Sequence, residues 1–156
     1  MPTSSSFLLR NAIVVPMEGR KEVFDPGSVL VLDGRIAAVG NVDEIDHHPA
    51  VGAVPTLDLT GHVLIPGLTN AHLHSGLLRG TAESLALWEW LEQHVDPAHR
   101  ALTEDIAEHA SWMAYTECLR GGVTSVMDMW RHMHRSAHVA DVLGIRPDDV
   151  QVVTDL

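Results

Sequence analysis

The stretch VLIPGLTNAHLH, residues 63–74, separates two kinds of sequence pattern. Before it, short aliphatic runs alternate with turn residues: residues 7–16 predict a strand that ends at Pro16, and Asp33-Gly34 between two such runs is a strong hairpin signal. The same arrangement around Thr60-Gly61 predicts a second hairpin. Residues 1–67 are therefore expected to form an all-β unit, a small sheet or β-sandwich.

Beyond residue 67, segments typical of strands alternate with segments typical of helices. Because a strand, a helix and a further strand in succession form a parallel crossover unit, this alternation predicts a parallel sheet. The strands are expected at residues 68–74 and 122–130, and the helices at 83–95, 103–120 and 135–144.

The longest of these helices carries signals at both ends. Thr103 is suited to cap its N-terminus, and Gly121-Gly122 are suited to end it. Its apolar stripe is expected to comprise Ile106, Ala110, Met113 and Ala114.

Two histidines end the strand predicted at residues 68–74. Residues two apart on a strand point to the same face, about 6.5 to 7 Å apart, so His72 and His74 are expected to share a face. Imidazole nitrogens bind zinc at about 2.0 to 2.1 Å, so two such rings could converge on one ion. Two hydrogen-bonded histidines on a solvated strand fit the same spacing, and the spacing alone leaves both interpretations open.

Composition excludes several classes of partner. The chain has 156 residues, 46% of them hydrophobic, and a net charge of −11, which disfavours nucleic acids and acidic membrane surfaces. Its single cysteine, Cys118, excludes an internal disulfide and fits a reducing compartment. No apolar run approaches the roughly 20 residues of a membrane span. We expect a cytoplasmic protein with no nucleic-acid or membrane partner.

Several motifs, taken in order, resemble the amidohydrolase superfamily in its branch of cytosine, guanine and adenosyl-type deaminases and triazine chlorohydrolases. The resemblance covers nearly the whole chain. Its specific parts are Pro66-Gly67 leading to Asn70, His72 and His74, then Leu78-Arg79-Gly80, Trp90-Leu91, and the pattern of Glu117, Gly122, Thr124, Asp128 and Met129.

The resemblance implies a fold and a cofactor. The fold is α/β with an all-β part: residues 1–67 contribute to a composite β-sandwich, and residues 68–156 form the first βα units of a TIM (β/α)8 barrel. It also implies that His72 and His74 are half of a divalent metal site, with zinc or iron as the ion. Metal-activated water would then hydrolyse a carbon–nitrogen bond other than a peptide bond, as in deamination of a small heterocyclic substrate. A homo-oligomer is expected for the full-length protein.

The resemblance also suggests two substrate-binding residues. Trp90 matches a tryptophan that nucleoside-type members place against the substrate, although a tryptophan-rich helix also fits a core position. His99 stands two residues after Pro97, where those members carry a glutamate that binds ribose. This departure makes a nucleoside substrate less expected.

The barrel is expected to be incomplete in this chain. A barrel of this type takes about 250 residues, and about 90 follow Gly67, enough for two or three βα units. The chain ends close to where a third barrel strand would run, but Pro147-Asp148-Asp149 is a poor entry to a buried strand, so the last ten residues depart from the family pattern. No catalytic proton-transfer residue can be assigned, and we expect an N-terminal fragment that is inactive alone. A non-catalytic truncated or degenerate chain and a member of the cyclic-amidase branch are the alternatives.

Two other polar features of the sequence are candidates for a site. His132 and His134 repeat the His-x-His spacing, and His134 and His138 lie four apart on a predicted helix. A helical metalloprotease site would need a glutamate beside His134, where Arg135 stands, which favours a solvated surface. Asp128 has the opposite parity to Met127 and Met129 on the strand at 122–130. It either supports the metal site or makes structural hydrogen bonds.

Overall fold

The computed structural model describes residues 5–18, 22–76, 82, 84–147 and 151–152. The chain divides into two compact units between Pro66 and Gly67. Leu78-Arg79-Gly80 and Asp148-Asp149, which the sequence analysis singled out, lie outside the described residues. Within the described part of the chain, no helix is both long enough and apolar enough to cross a membrane.

The first unit contains one mixed sheet built around its first strand. Its elements are β1 (Phe7–Val14), β2 (Phe24–Leu32), β3 (Arg35–Asn41), α1 (Val42–Ile45), β4 (Thr56–Asp58) and β5 (Val63–Leu64). The strand order is β3-β2-β1-β4, with β5 also paired to β1. Leu8, Leu30 and Ile45 are the buried residues of one of its hydrophobic clusters. Since the described strands of this unit form a single sheet, the sandwich stays a prediction.

The hairpin predicted at Asp33-Gly34 is confirmed. Leu32 pairs with Arg35 across an antiparallel ladder. Asp33 and Gly34 both have positive φ, +51° and +74°. A two-residue turn with two positive φ angles matches the right-handed twist of the flanking strands, which is why this dipeptide specifies the hairpin.

The hairpin predicted at Thr60-Gly61 is wrong. β4 and β5 do not pair with each other: both run parallel to β1, β4 along residues 8–10 and β5 along residues 13–14. The turn between them is closed locally, because the Asp58 carboxylate accepts hydrogen bonds from the Thr60 backbone N–H and hydroxyl. Asn11, at a bulge in β1 with φ +66°, donates to the same carboxylate. The turn after β4 therefore hydrogen-bonds to the bulge in β1, and it does not form a hairpin between β4 and β5.

The second unit contains a parallel sheet with helices between its strands, as predicted. Its elements are β6 (Leu68–Leu73), a helical segment of α2 (Leu87–Trp90), a π-helical turn (Leu91–Val95) and α3 (Asp96–Ala101), then α4 (Glu104–Arg120), β7 (Val123–Trp130), α5 (Met133–Leu143), β8 (Arg146–Pro147) and β9 (Gln151–Val152). β6, β8 and β9 all pair with β7 in parallel.

A third strand position lies beside β7, close to where the sequence placed it and despite the unfavourable entry at Pro147. Arg146-Pro147 pairs with Ser125-Val126, and Gln151-Val152 pairs with Met129-Trp130. Pro147 has no backbone N–H to donate to a neighbouring strand. It is tolerated because β8 lies at the edge of the described sheet, where β7 is its one described neighbour.

Helix α4 buries two of the four residues of its predicted apolar stripe, Ala110 and Ala114. Thr103 caps it as expected, since its hydroxyl accepts from the Ile106 N–H at 3.3 Å. Ile106 and Met113 of the predicted stripe, however, are 44% and 65% exposed. The buried face consists of Ala107, Ala110, Ser111, Ala114 and Tyr115. Small side chains let α4 approach α5 and β7 closely, and this close packing shifts the buried stripe by about one residue.

A cluster of charges joins α4 to α5. Arg135 donates to Glu104 through Nε and Nη2 and to Glu108 through Nη1, at 3.1 to 3.2 Å. His134 Nε2 lies 3.6 Å from the same Glu104 carboxylate. The hydrogen bond from Arg135 is the main cause that lowers the pKa of Glu104.

This lowered pKa predicts a contribution of Glu104 to stability that depends on pH. A carboxyl with a lower pKa in the folded state stabilises the fold above its unfolded pKa, near 4.5, and loses that contribution as the pH falls through the folded value. We expect the wild-type chain to be more stable than Glu104→Gln at pH 7, with the difference shrinking below pH 4.5. The difference should be small because the pair is at the surface. Thermal unfolding of both proteins between pH 3 and 7 measures it, and a difference that grows on acidification would contradict the expectation.

Candidate metal centre at the end of β6

A bulge near the end of β6 sets the positions of the two histidines. Asn70 pairs with Val126 and Leu73 pairs with Asp128, so three steps along β6 match two steps along β7. The side-chain oxygen of Asn70 accepts the His72 N–H at 3.1 Å. The hydrogen bond from His72 to Asn70 therefore stabilises the bulge, and the bulge changes the direction of the side chains that follow it.

The His72 and His74 rings come together. Their Nε2 atoms are 3.0 Å apart, and the rings are nearly perpendicular, with centroids 4.8 Å apart. Two nitrogens bound to one tetrahedral zinc at about 2.0 to 2.1 Å would be roughly 3.3 Å apart. The observed separation is thus close to that of two ligands of one ion. It also fits a direct hydrogen bond from one ring to the other, and zinc binding distinguishes the two.

The contact of the His74 Nδ1 atom with the backbone fixes the tautomer of this ring. Nδ1 lies 2.7 Å from the backbone oxygen of Met129. A carbonyl oxygen can only accept, so Nδ1 carries the proton and Nε2 of the neutral ring keeps its lone pair. This is the arrangement in which a metal-ligating histidine is ordinarily held. The two imidazole nitrogens therefore fit a divalent ion that accepts nitrogen ligands.

A row of aromatic rings continues from His74. The Trp130 ring packs against His74 at 5.0 Å between centroids, and His99 packs against Trp130 at 4.8 Å with 34° between their planes. Arg131 donates to the His99 backbone oxygen at 3.3 Å. Gly76 leaves room for Trp130, since a Cβ there would lie 2.8 Å from Cδ1 of the indole. His99 is thus brought near the histidine pair through Trp130.

The structure does not bring Trp90 into this row. Trp90 ends α2 and is half-buried. Among the described residues, the ring neighbours of His74 and Trp130 include His72 and His99 but not Trp90. A role for Trp90 and for His99 in substrate binding stays a prediction.

A buried polar network lies behind the histidines. One oxygen of Asp128 accepts the Ser75 N–H at 3.0 Å and the other accepts the Tyr115 hydroxyl at 2.5 Å. Burial, followed by the hydrogen bond to Asp128, raises the pKa of Tyr115, so its hydroxyl stays a donor. The hydroxyls of Ser75, Ser111 and Ser136 contact one another at 2.7 to 3.2 Å. Sequence reasoning marked Asp128 by its parity but missed its partners, because a backbone N–H that follows a strand and a tyrosine inside a helix carry no signal of their own.

The second pair of histidines does not form a comparable site. His132 Nε2 is 3.1 Å from the Leu102 backbone oxygen, and the rings of His132 and His134 are 6.4 Å apart. His134 is exposed and lies beside Glu104. Over the described ranges of the chain, no three His, Cys, Asp or Glu side chains are grouped so that they could hold a metal ion. The pair at His72 and His74 is therefore the candidate that the geometry favours.

Comparison with known proteins identifies the family. The model of the amidohydrolase family matches residues 63–146, a segment that contains both histidines and the whole of β7. The chain belongs to the amidohydrolase family. The family resemblance read from the motifs is thereby confirmed.

Relatives of this amidohydrolase chain include a 5-methylthioadenosine/S-adenosylhomocysteine deaminase of Syntrophobacter fumaroxidans. It is 39% identical over 97% of this chain and 34% of its own length. A zinc-bound adenosine deaminase of Xanthomonas campestris has the same fold over 94% of this chain and 34% of that chain, with a TM-score of 0.81 and 32% identity.

A more distant structure supports the fold. An atrazine chlorohydrolase of Arthrobacter aurescens, complexed with zinc, matches 90% of this chain and 34% of that chain, with a TM-score of 0.79 and 23% identity. At this identity the likeness concerns the fold only. The amidohydrolase chain spans about a third of the length of the curated relatives it matches.

Proposed function

We propose that His72 and His74 hold a divalent metal ion and that this chain forms part of an amidohydrolase that deaminates a small heterocyclic substrate by hydrolysis. The observation that carries the proposal is the 3.0 Å separation of the two Nε2 atoms, with Nδ1 of His74 hydrogen-bonded to Met129. Zinc is the favoured ion over iron, because the related adenosine deaminase was solved with zinc.

The roles of the chain's own residues follow from their contacts. A bound divalent ion would supply activated water at neutral pH, since it lowers the pKa of that water to about 7. His72 and His74 would hold the ion through Nε2. The Met129 carbonyl keeps the proton of His74 on Nδ1, and Trp130 packs against one side of the ring. His99, which packs on Trp130, would contact the substrate.

Polypeptide outside this chain would complete the site. Two imidazoles leave a zinc ion short of the protein ligands of an ordinary site. We infer that residues 68–156 are the opening βα units of a (β/α)8 barrel, that residues 1–67 contribute to a sandwich, and that the remaining ligands and the proton-transfer groups lie elsewhere. The net charge of −11 supports a small-molecule substrate over a polyanion.

Adenosine-type nucleosides are the first substrates to test. The relatives named above are deaminases of 5-methylthioadenosine, S-adenosylhomocysteine and adenosine. His99, a residue with no carboxylate, occupies the position where the sequence resemblance implies a ribose-binding glutamate. Activity on nucleosides and on free bases, measured before and after replacement of His99 by glutamate, therefore distinguishes the two classes of substrate.

The function is tested by a chimera. This chain replaces the matching third of the Syntrophobacter fumaroxidans deaminase, and ammonia release from 5-methylthioadenosine and from adenine is measured with zinc present. We expect release that requires both His72 and His74. A folded, zinc-loaded chimera that releases no ammonia, or one whose activity survives replacement of both histidines by alanine, would contradict the proposal.

A further inference from the structure

We propose that Asp128 and Tyr115 are positioning residues that fix His74 for metal binding. This inference rests on the proposed function, because the metal site is its object. Asp128 is 1% exposed and Tyr115 is fully buried, so neither contacts the ion or the solvent around it.

Consecutive residues of β7 hold consecutive residues after β6. Asp128 accepts the Ser75 N–H through Oδ1, and the Met129 carbonyl accepts the proton on His74 Nδ1. The peptide group between His74 and Ser75 is planar and includes the Cα of His74. A fixed Ser75 N–H therefore fixes the position of the His74 Cα, and the contact of Nδ1 with the Met129 carbonyl then fixes the ring.

The carboxylate that makes this contact is itself held. Tyr115 donates to Oδ2 at 2.5 Å from the buried face of α4. Rotation of the carboxylate would leave a buried donor without an acceptor, which is unfavourable. The Tyr115 ring belongs to the main core of the unit, packed with Val126 and Val139. The position of His74 is thus tied to the packing of α4 on the sheet.

A purely structural role would stabilise the fold without affecting the His74 ring, and two readouts separate the roles. The first is the tautomer of His74 in the zinc-free chain, measured from its imidazole ¹⁵N shifts. The second is zinc affinity, measured by titration calorimetry with zinc chloride. Loss of groups that hydrogen-bond to a metal ligand's surroundings weakens metal binding by about 10- to 100-fold.

The variants are Asp128→Ala, Tyr115→Phe and, as control, Val139→Ala. Val139 is fully buried in the same core but makes no hydrogen bond to the His74 region. We expect Asp128→Ala to lose the single Nδ1–H tautomer of His74 and to bind zinc about 100-fold more weakly. Tyr115→Phe should weaken zinc binding about tenfold, and it keeps the test valid if Asp128→Ala does not fold. Val139→Ala should lower stability and leave both readouts unchanged.

The outcomes distinguish this proposal from the proposed function. A folded Asp128→Ala or Tyr115→Phe chain with the wild-type His74 spectrum would overturn the positioning role, as would the same spectral change in Val139→Ala. If the wild-type chain fails to bind zinc through His72 and His74, the proposed function fails, while the tautomer in the zinc-free chain still decides the positioning role.

Discussion

We expect the His74→Ala chain to lose measurable zinc binding. The change removes one of two converging Nε2 atoms, the one whose lone pair is fixed by the hydrogen bond from Nδ1 to Met129. A single remaining imidazole cannot hold the ion, so the loss should exceed the roughly 10- to 100-fold that follows removal of a hydrogen-bond partner of a ligand. Titration calorimetry with zinc chloride measures the affinity, and His72→Ala should behave in the same way.

The matched control is His134→Ala. His134 belongs to the other His-x-His sequence, but its ring is exposed beside Glu104 and is far from forming a convergent pair with His132. Its replacement should leave zinc affinity unchanged. The metal assignment is wrong if His134→Ala loses zinc while His74→Ala keeps it, or if the wild-type pair is only a hydrogen-bonded couple that binds no zinc.

The second large effect is steric and concerns Gly67. A Cβ at this position would lie 2.0 Å from Oγ1 of Thr124 and 2.6 Å from its Cγ2, distances that no side-chain adjustment at the alanine can relieve. Gly67 directly precedes β6, and the following Leu68 N–H bonds to the Gly122 carbonyl, so the two strands are held together at this point. We expect Gly67→Ala to destabilise the second unit by about 3 kcal/mol, the upper part of the range for overpacking.

Urea unfolding followed by tryptophan fluorescence measures this effect, because all four tryptophans lie beyond residue 67. Gly121→Ala is the control: a Cβ there meets its nearest atoms at 3.4 Å, and its φ of −84° suits alanine. Thr124→Ala should partly rescue Gly67→Ala, since it removes the two closest atoms. Equal stability of Gly67→Ala and Gly121→Ala would contradict the prediction, because β6 and β7 would then accommodate the added Cβ without loss of stability.

The sequence predicted the proximity of the two histidines but not how they are held. Spacing by two placed His72 and His74 together, and the Asp33-Gly34 hairpin followed from local backbone preference. The bulge at Asn70 depends on how β6 aligns with β7, and the partner of His74 is a backbone oxygen 55 residues away, which has no signature in sequence. The hairpin predicted at Thr60-Gly61 was wrong because strand pairing depends on distant residues. β4 and β5 both pair with β1, and the turn residues alone do not determine that partner.

The tight contact between α4 and α5 has a consequence for how this protein can diverge. Ala107, Ser111 and Ser136 are fully buried where the helices meet. Side-chain size at these positions is therefore constrained, and a saturation library should accept only glycine, alanine or serine there. Met113, on the outward side of the same helix, should accept most amino acids, so substitutions in closely related genes should accumulate on one side of α4 and be purged from the other.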